Sequence, residues 1–200
     1  MEDTYNTIEE ISTGIFKDKG SKFISYAYPV KEEGEIKEII KLLKKEHFNA
    51  RHHCYAWRLG DEDIRFRAND DGEPSSTAGK PILGQLVSFN TTNILIVVVR
   101  YFGGTLLGVG GLINAYRSAA KDALLNARII EKKIERVFQI SFSYKELNDV
   151  MGIVKSENLN QLETNFLESC TLKFSIRKSE AQRVEGLFGK FHGVTIKEIF

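Results

Sequence analysis

Six consecutive residues, Ile94–Val99, are all aliphatic. A strand points successive side chains to opposite faces, so a run with no polar member predicts a strand buried on both sides. Any fold for this chain must therefore cover two faces of one sheet. The residues after the run constrain the fold further. Residues 97–120 read VVVRYFGGTLLGVGGLINAYRSAA, with glycine at 103, 104, 108, 110 and 111. Beyond them, Leu112 to Ala127 contains no helix breaker and is rich in alanine, which predicts a helix. Glycine at a strand–helix junction has two uses. It shapes a crossover and close packing, which would account for Gly110 or Gly111, or it lets an anion approach the free N–H groups of a helix N-terminus. Arg100 and Arg117 flank the glycines, and packing does not require them. No nucleotide motif is matched: GVGGLI does not fit the dinucleotide fingerprint, and no Gly-Lys-Ser/Thr occurs.

The rest of the chain reads as a mixture of strands and helices. Residues 14–30 predict a hairpin turning at Asp18–Gly20, and 33–47 a helix on Ile36, Ile39, Ile40, Leu42 and Leu43. Alternating strands come next at 53–60 and 64–68, then a polar loop at 69–77. A helix over about 77–89 keeps Pro81 in its first turn, with Ser75, Ser76 or Thr77 as the expected cap. From residue 131 onward the order is β-α-β-β-α-β, the ferredoxin-like arrangement, with Ser179 as the expected cap of its second helix. The predicted organisation is two α+β domains, 1–130 and 131–200. The 200 residues carry a net charge of +1 and neither half is basic, so bulk charge does not argue for nucleic acid. The acidic N-terminal segment lacks a signal-peptide pattern, no apolar run approaches a membrane span, and a cytoplasmic location is expected. The two cysteines, Cys54 and Cys170, have no metal spacing and are expected as reduced thiols.

Two further segments offer chemistry. Asp70, Asp71 and Glu73 put three carboxylates in four positions of a turn, enough to hold a cation or to accept hydrogen bonds within the protein; a solvated acidic turn is the favoured reading. Lys80 at the start of the next helix opposes the helix dipole, so a neighbouring carboxylate or anion is expected. In Arg51-His52-His53-Cys54, strand alternation puts His52 and Cys54 on one face and His53 on the other. A buried thiol beside ordinary histidines is favoured over a nucleophile.

Taken together and in this order, HHCYAWRLG, NDDGEPSSTAGKPIL and VVVRYFGGTLLGVGGLINAY resemble the bacterial YigZ/YvyE members of the IMPACT family. The likeness extends over nearly the whole chain. It implies an N-terminal domain with the ribosomal-protein-S-five domain-two-like fold. It also implies a ferredoxin-like C-terminal domain similar to the last domain of elongation factor G. The family's eukaryotic relative regulates translation by binding other proteins through an additional domain. By motif position, the resemblance implies an anion or nucleic-acid-binding set of Arg65, Lys80, Arg100, Gly103, Gly104, Gly108, Gly110, Gly111 and Arg117. It implies polar cleft residues His53, Asp70, Asp71, Glu73, Ser75, Thr77 and Tyr116. Asn69 replaces a usual serine, and Asn114 stands where lysine or arginine is common.

The expected function is a binding or regulatory protein associated with translation, contacting RNA, the ribosome, a translation factor or another protein partner through a glycine-rich, locally basic cleft, with no cofactor and no metal. The alternative is a metal-dependent enzyme acting on a phosphorylated small molecule. The acidic and glycine-rich loops are expected to line one cleft.

Overall fold

A computed structural model describes residues 3–166 and 169–199. These divide into two units, one spanning Tyr5–Lys132 and the other running from Lys133 onward together with Asp3 and Thr4. Both are α+β.

In the first unit the strands are β1 (Thr4–Ile8), β2 (Ser12–Asp18), β3 (Ser21–Pro29), β4 (His52–Leu59), β5 (Arg65–Asn69), β6 (Ile94–Tyr101) and β7 (Ile129–Lys133). The helices are α1 (Glu33–Glu46), α2 (Gly79–Ser88) and α3 (Gly108–Asn126). Five strands form one antiparallel sheet in the order β2-β3-β6-β4-β5, which puts the aliphatic run in its centre. Its alternation serves two cores. Ile94, Ile96 and Val98 pack with α2 and α3, while Leu95, Val97 and Val99 pack with Ile36 and Leu43 of α1. Leu42, expected in the apolar stripe of α1, is exposed because it falls to the side of the Ile36–Leu43 line. The ribbon of β1 and β7 was not foreseen: its residues carry little apolar signal, and β7 continues the first unit past residue 130.

The second unit comprises β8 (Glu135–Phe142), α4 (Leu147–Ser156), β9 (Asn160–Phe166), β10 (Cys170–Arg177), α5 (Lys178–Phe188) and β11 (Val194–Ile199). Its antiparallel sheet has the order β11-β8-β10-β9, which is the ferredoxin-like order. One face packs Phe138, Ile140, Leu172 and Phe174 against Val150, Val154, Val184 and Phe188 of the helices. The tight connection expected between the two middle strands falls at 167–168, outside the described residues, as does Phe200.

Ser179 does not cap α5 as expected; the helix begins two residues earlier, at Lys178, with Arg177 at the cap position. Asp3 takes over the role. Its carboxylate receives two bonds of 2.6 Å from Arg177 and further hydrogen bonds from Ser179, which hold its pKa well below the usual carboxylate range. Asp3 belongs to the second unit, and its carbonyl also accepts the Ile134 N–H.

Candidate functional site: a half-satisfied arginine beneath a bare helix N-terminus

Strand parity builds the floor of the site. Continuing the two-residue step Ile94, Ile96, Val98 places Arg100 on the α3 side of the sheet, at the end of β6. Phe23 and His52 stand directly opposite Arg100 on the neighbouring strands. The Arg100 guanidinium carbon lies 5.5 Å from the Phe23 ring centroid and 5.6 Å from that of Phe102. Its side chain is only 7% exposed, and a charge so buried must be paired. Glu73 supplies the partner, with Oε1 2.5 Å from Arg100 Nη1. Tyr116 of α3 donates its hydroxyl to the same oxygen at 2.7 Å. Arg100 Nε, also buried, has no acceptor.

Above the floor, α3 begins without a cap. Leu107 occupies the cap position, makes no side-chain hydrogen bond, and no acidic residue lies in the first turn. The free N–H groups of that turn therefore present partial positive charge. A cleft of about 400 Å³ opens here, lined by Arg51, His52, Glu73, Pro74, Arg100, Phe102 and the segment Leu106–Val109 with Leu112. The acidic loop, through Glu73 and Pro74, and the glycine-rich segment thus face one cleft.

The glycines divide by cause. A Cβ on Gly103 would sit 1.9 Å from the Gly20 carbonyl carbon, so this position serves the contact with the β2–β3 turn. Gly104 and Gly108 have φ of +87° and +71°, where other residues are strained. A Cβ on Gly111 would meet only the Leu107 side chain, at 3.0 Å. At Gly110 it would meet nothing within 4 Å. Packing, one of the two accounts of Gly110, does not require it. Helix α3 itself starts at Gly108, four residues earlier than the alanine-rich pattern indicated.

The three carboxylates of the acidic loop are engaged by different protein donors. Asp70 accepts the N–H groups of Ser76, Ala78 and Gly79, and so caps α2 from a distance. This corrects the expectation that Ser75, Ser76 or Thr77 caps that helix: Ala78 occupies the cap position. Lys80 is exposed in the first turn of that helix. Asp71 accepts His53 N–H at 2.7 Å and Lys44 Nζ at 3.0 Å, tying the loop to β4 and α1. Burial alone would raise its pKa, but these two donors hold it below the ordinary value. Glu73 serves Arg100 and Tyr116. Among the described residues no three His, Cys, Asp or Glu side chains converge as metal ligands.

A family model described as the Impact N-terminal domain matches residues 19–124, a span that contains the whole cleft. The IMPACT family member YvyE of Bacillus subtilis is 34% identical over 88% of this chain and 82% of its own length. YigZ of Escherichia coli is 36% identical over 68% of each chain. This chain belongs to the IMPACT family. A crystal structure of a hypothetical protein supports the fold, with a TM-score of 0.75 at 26% identity over 100% of this chain and 99% of that one.

In this IMPACT domain the remaining residues marked in the sequence do not line the cleft. Arg65 is exposed on β5 and pairs with Glu33 at 2.9 Å. Arg117 is exposed on α3. Ser75 is exposed, and Thr77 is buried with its hydroxyl donated to the Pro74 carbonyl. His53 lies on the α1 side of the sheet, where burial pushes its pKa below the ordinary histidine value against the pull of Asp71. Cys54 is fully buried, its Sγ 3.0 Å from the Asp70 carbonyl and 3.3 Å from the Tyr116 hydroxyl. Burial raises the thiol pKa far beyond that of a nucleophilic cysteine, although the Tyr116 hydrogen bond opposes the shift. Sequence reasoning missed the apolar wall of Phe102, Leu106, Leu107, Val109 and Leu112, because apolar residues among glycines read as packing. It also missed His47, held between the hydroxyls of Tyr26 at 2.7 Å and Tyr101 at 2.8 Å.

Proposed function

We propose that this protein is a binding protein of the translation apparatus that holds an RNA phosphate at the N-terminus of α3. The observation that carries the reading is Arg100. Its guanidinium lines the cleft, held by Glu73 through Nη1, beneath an uncapped helix of nineteen residues. Both features favour an anion in the same cleft. Gly110 leaves the first turn open to close approach. From there the backbone of the RNA passes over the helix end onto one exposed line on the outer face of α3. Gly110, Asn114, Arg117 and Lys121 fall on that line, three or four residues apart. Arg51 at the cleft's rim adds charge, and Lys80 on the neighbouring helix lies within the expected basic set. The family resemblance, whose eukaryotic relative regulates translation, supports the setting.

Filter binding to a mixed-sequence single-stranded RNA, at about 50 and about 200 mM salt, tests the reading. Gly110→Asp places a carboxylate over the free N–H groups. It favours the helix while excluding a phosphate. The expected result is unchanged or raised thermal stability, weaker RNA binding, and a salt slope smaller by about one unit. Arg117→Ala should lower the slope by a similar amount across sequences. Wild-type affinity of Gly110→Asp at both salt concentrations overturns the proposal.

A further inference from the structure

We infer that the same cleft, beside the phosphate site, receives one unstacked nucleobase, so that the ligand is single-stranded rather than duplex RNA. The inference rests on the phosphate reading and goes beyond it. A phosphate needs the floor and the helix terminus, and leaves the walls unexplained. Those walls are apolar and open: Phe102 is 47% exposed, Val109 60% and Leu106 82%. They cluster on one cleft of about 400 Å³, within the range that encloses small organic ligands.

Phe102 is placed to stack. One contact of its ring is the Arg100 guanidinium, and nearly half of its surface remains free. A ring backed by a cation is the arrangement on which bases stack in single-strand readers. A paired base cannot enter a concave site of this kind without leaving its helix. An apolar peptide ending in a free carboxylate offers similar local chemistry. The RNA is favoured because Phe102 offers a ring backed by the Arg100 guanidinium, a stacking platform that a terminal carboxylate does not use, and because a strand passing over the helix end meets Arg117 and Lys121 on the outer face of α3.

The test compares an oligoadenylate of about ten nucleotides, a duplex of the same length, and a peptide with a C-terminal leucine carboxylate. It uses the full chain and its Phe102→Ala, Leu106→Ser and Gly110→Asp variants. Loss of one stacking partner should weaken single-strand binding roughly 5- to 150-fold, corresponding to about 1–3 kcal/mol per base. The salt slope should not change, because no phosphate contact is removed. Leu106→Ser, at a site open to solvent, should weaken binding in the same sense without loss of thermal stability. It keeps the test valid if Phe102→Ala disturbs Arg100. Wild-type affinity in both variants, with Gly110→Asp still impaired, overturns the base site and leaves the phosphate reading standing. Failure of Gly110→Asp to weaken binding overturns the phosphate reading itself. Duplex binding as tight as single-strand binding, or displacement of the oligonucleotide by the peptide, also overturns the inference.

Discussion

Two of the five glycines around the start of α3 should respond to alanine in opposite directions. At Gly103 the added methyl would lie 1.9 Å from the Gly20 carbonyl carbon, 2.1 Å from Ser21 N and 2.3 Å from the Gly20 oxygen. All three are backbone atoms. They lie in Gly20 and at the first residue of β3, at a two-residue hairpin loop in which Lys19 and Gly20 both have positive φ. Relief demands a shift of about 1 Å in the turn or in the exit of β6. The Gly103 N–H bond to Ser21 Oγ, 3.1 Å, lies in the same contact. Overpacking against fixed structure costs about 1–3 kcal/mol and sometimes more, and the absence of any flexible neighbour places Gly103→Ala at about 3 kcal/mol. Gly110→Ala meets open space. It gains helix propensity, about 0.5–1 kcal/mol when discounted for its place in the first turn. Urea unfolding of the full chain, followed by the fluorescence of Trp57 in the first unit, measures both. The reasoning is refuted if Gly103→Ala unfolds within about 0.5 kcal/mol of the parent, or if Gly110→Ala loses more than about 1 kcal/mol.

Other consequences are equally direct. Glu73→Ala should cost about 3–5 kcal/mol in urea unfolding, since it strands the buried Arg100 charge, whereas Tyr116→Phe should cost about 1–2 kcal/mol through the lost hydrogen bond. Both cysteines are buried, and Cys54 is held protonated by burial, so alkylation at neutral pH should be negligible until denaturant is added; labelling of Cys54 at the rate of a free thiol would contradict this. His53 has a folded-state pKa below its unfolded value, so the unfolded chain binds the proton first as pH falls. The stability it contributes is present above the ordinary histidine pKa of about 6.5 and is lost as pH drops through the folded value. Comparing His53→Gln with the parent between about pH 7 and pH 5 should show a shallower decline in the variant. Asp3 follows the same sign at lower pH, and Asp3→Asn should flatten the acid limb of unfolding in the second unit.

Much of the fold was legible because its signals are local. The aliphatic run at 94–99 could only be a central strand, and the alternation of the strand around residues 51–54 assigned Cys54 and His52 to one face before any packing was known. The β-α-β-β-α-β order of the second unit, the position of Pro81 in α2 and the alanine-rich body of α3 also come from spacing and propensity. The features that escaped were set by contacts between residues distant in the chain. The ribbon of β1 and β7 joins segments more than a hundred residues apart, and neither strand has an apolar period of its own. Helix capping went to remote carboxylates, Asp70 for α2 and Asp3 for α5, because a cap needs only an acceptor at the right place and tertiary structure can bring one from anywhere. The same holds for the cleft. The sequence marked Arg100, Glu73 and Gly108 as polar or special, but only the packed sheet shows that Glu73 satisfies one nitrogen of Arg100 and leaves another bare. Its place in the lining of a cleft under the uncapped start of α3 is what makes a common strand-end arginine part of the candidate anion site.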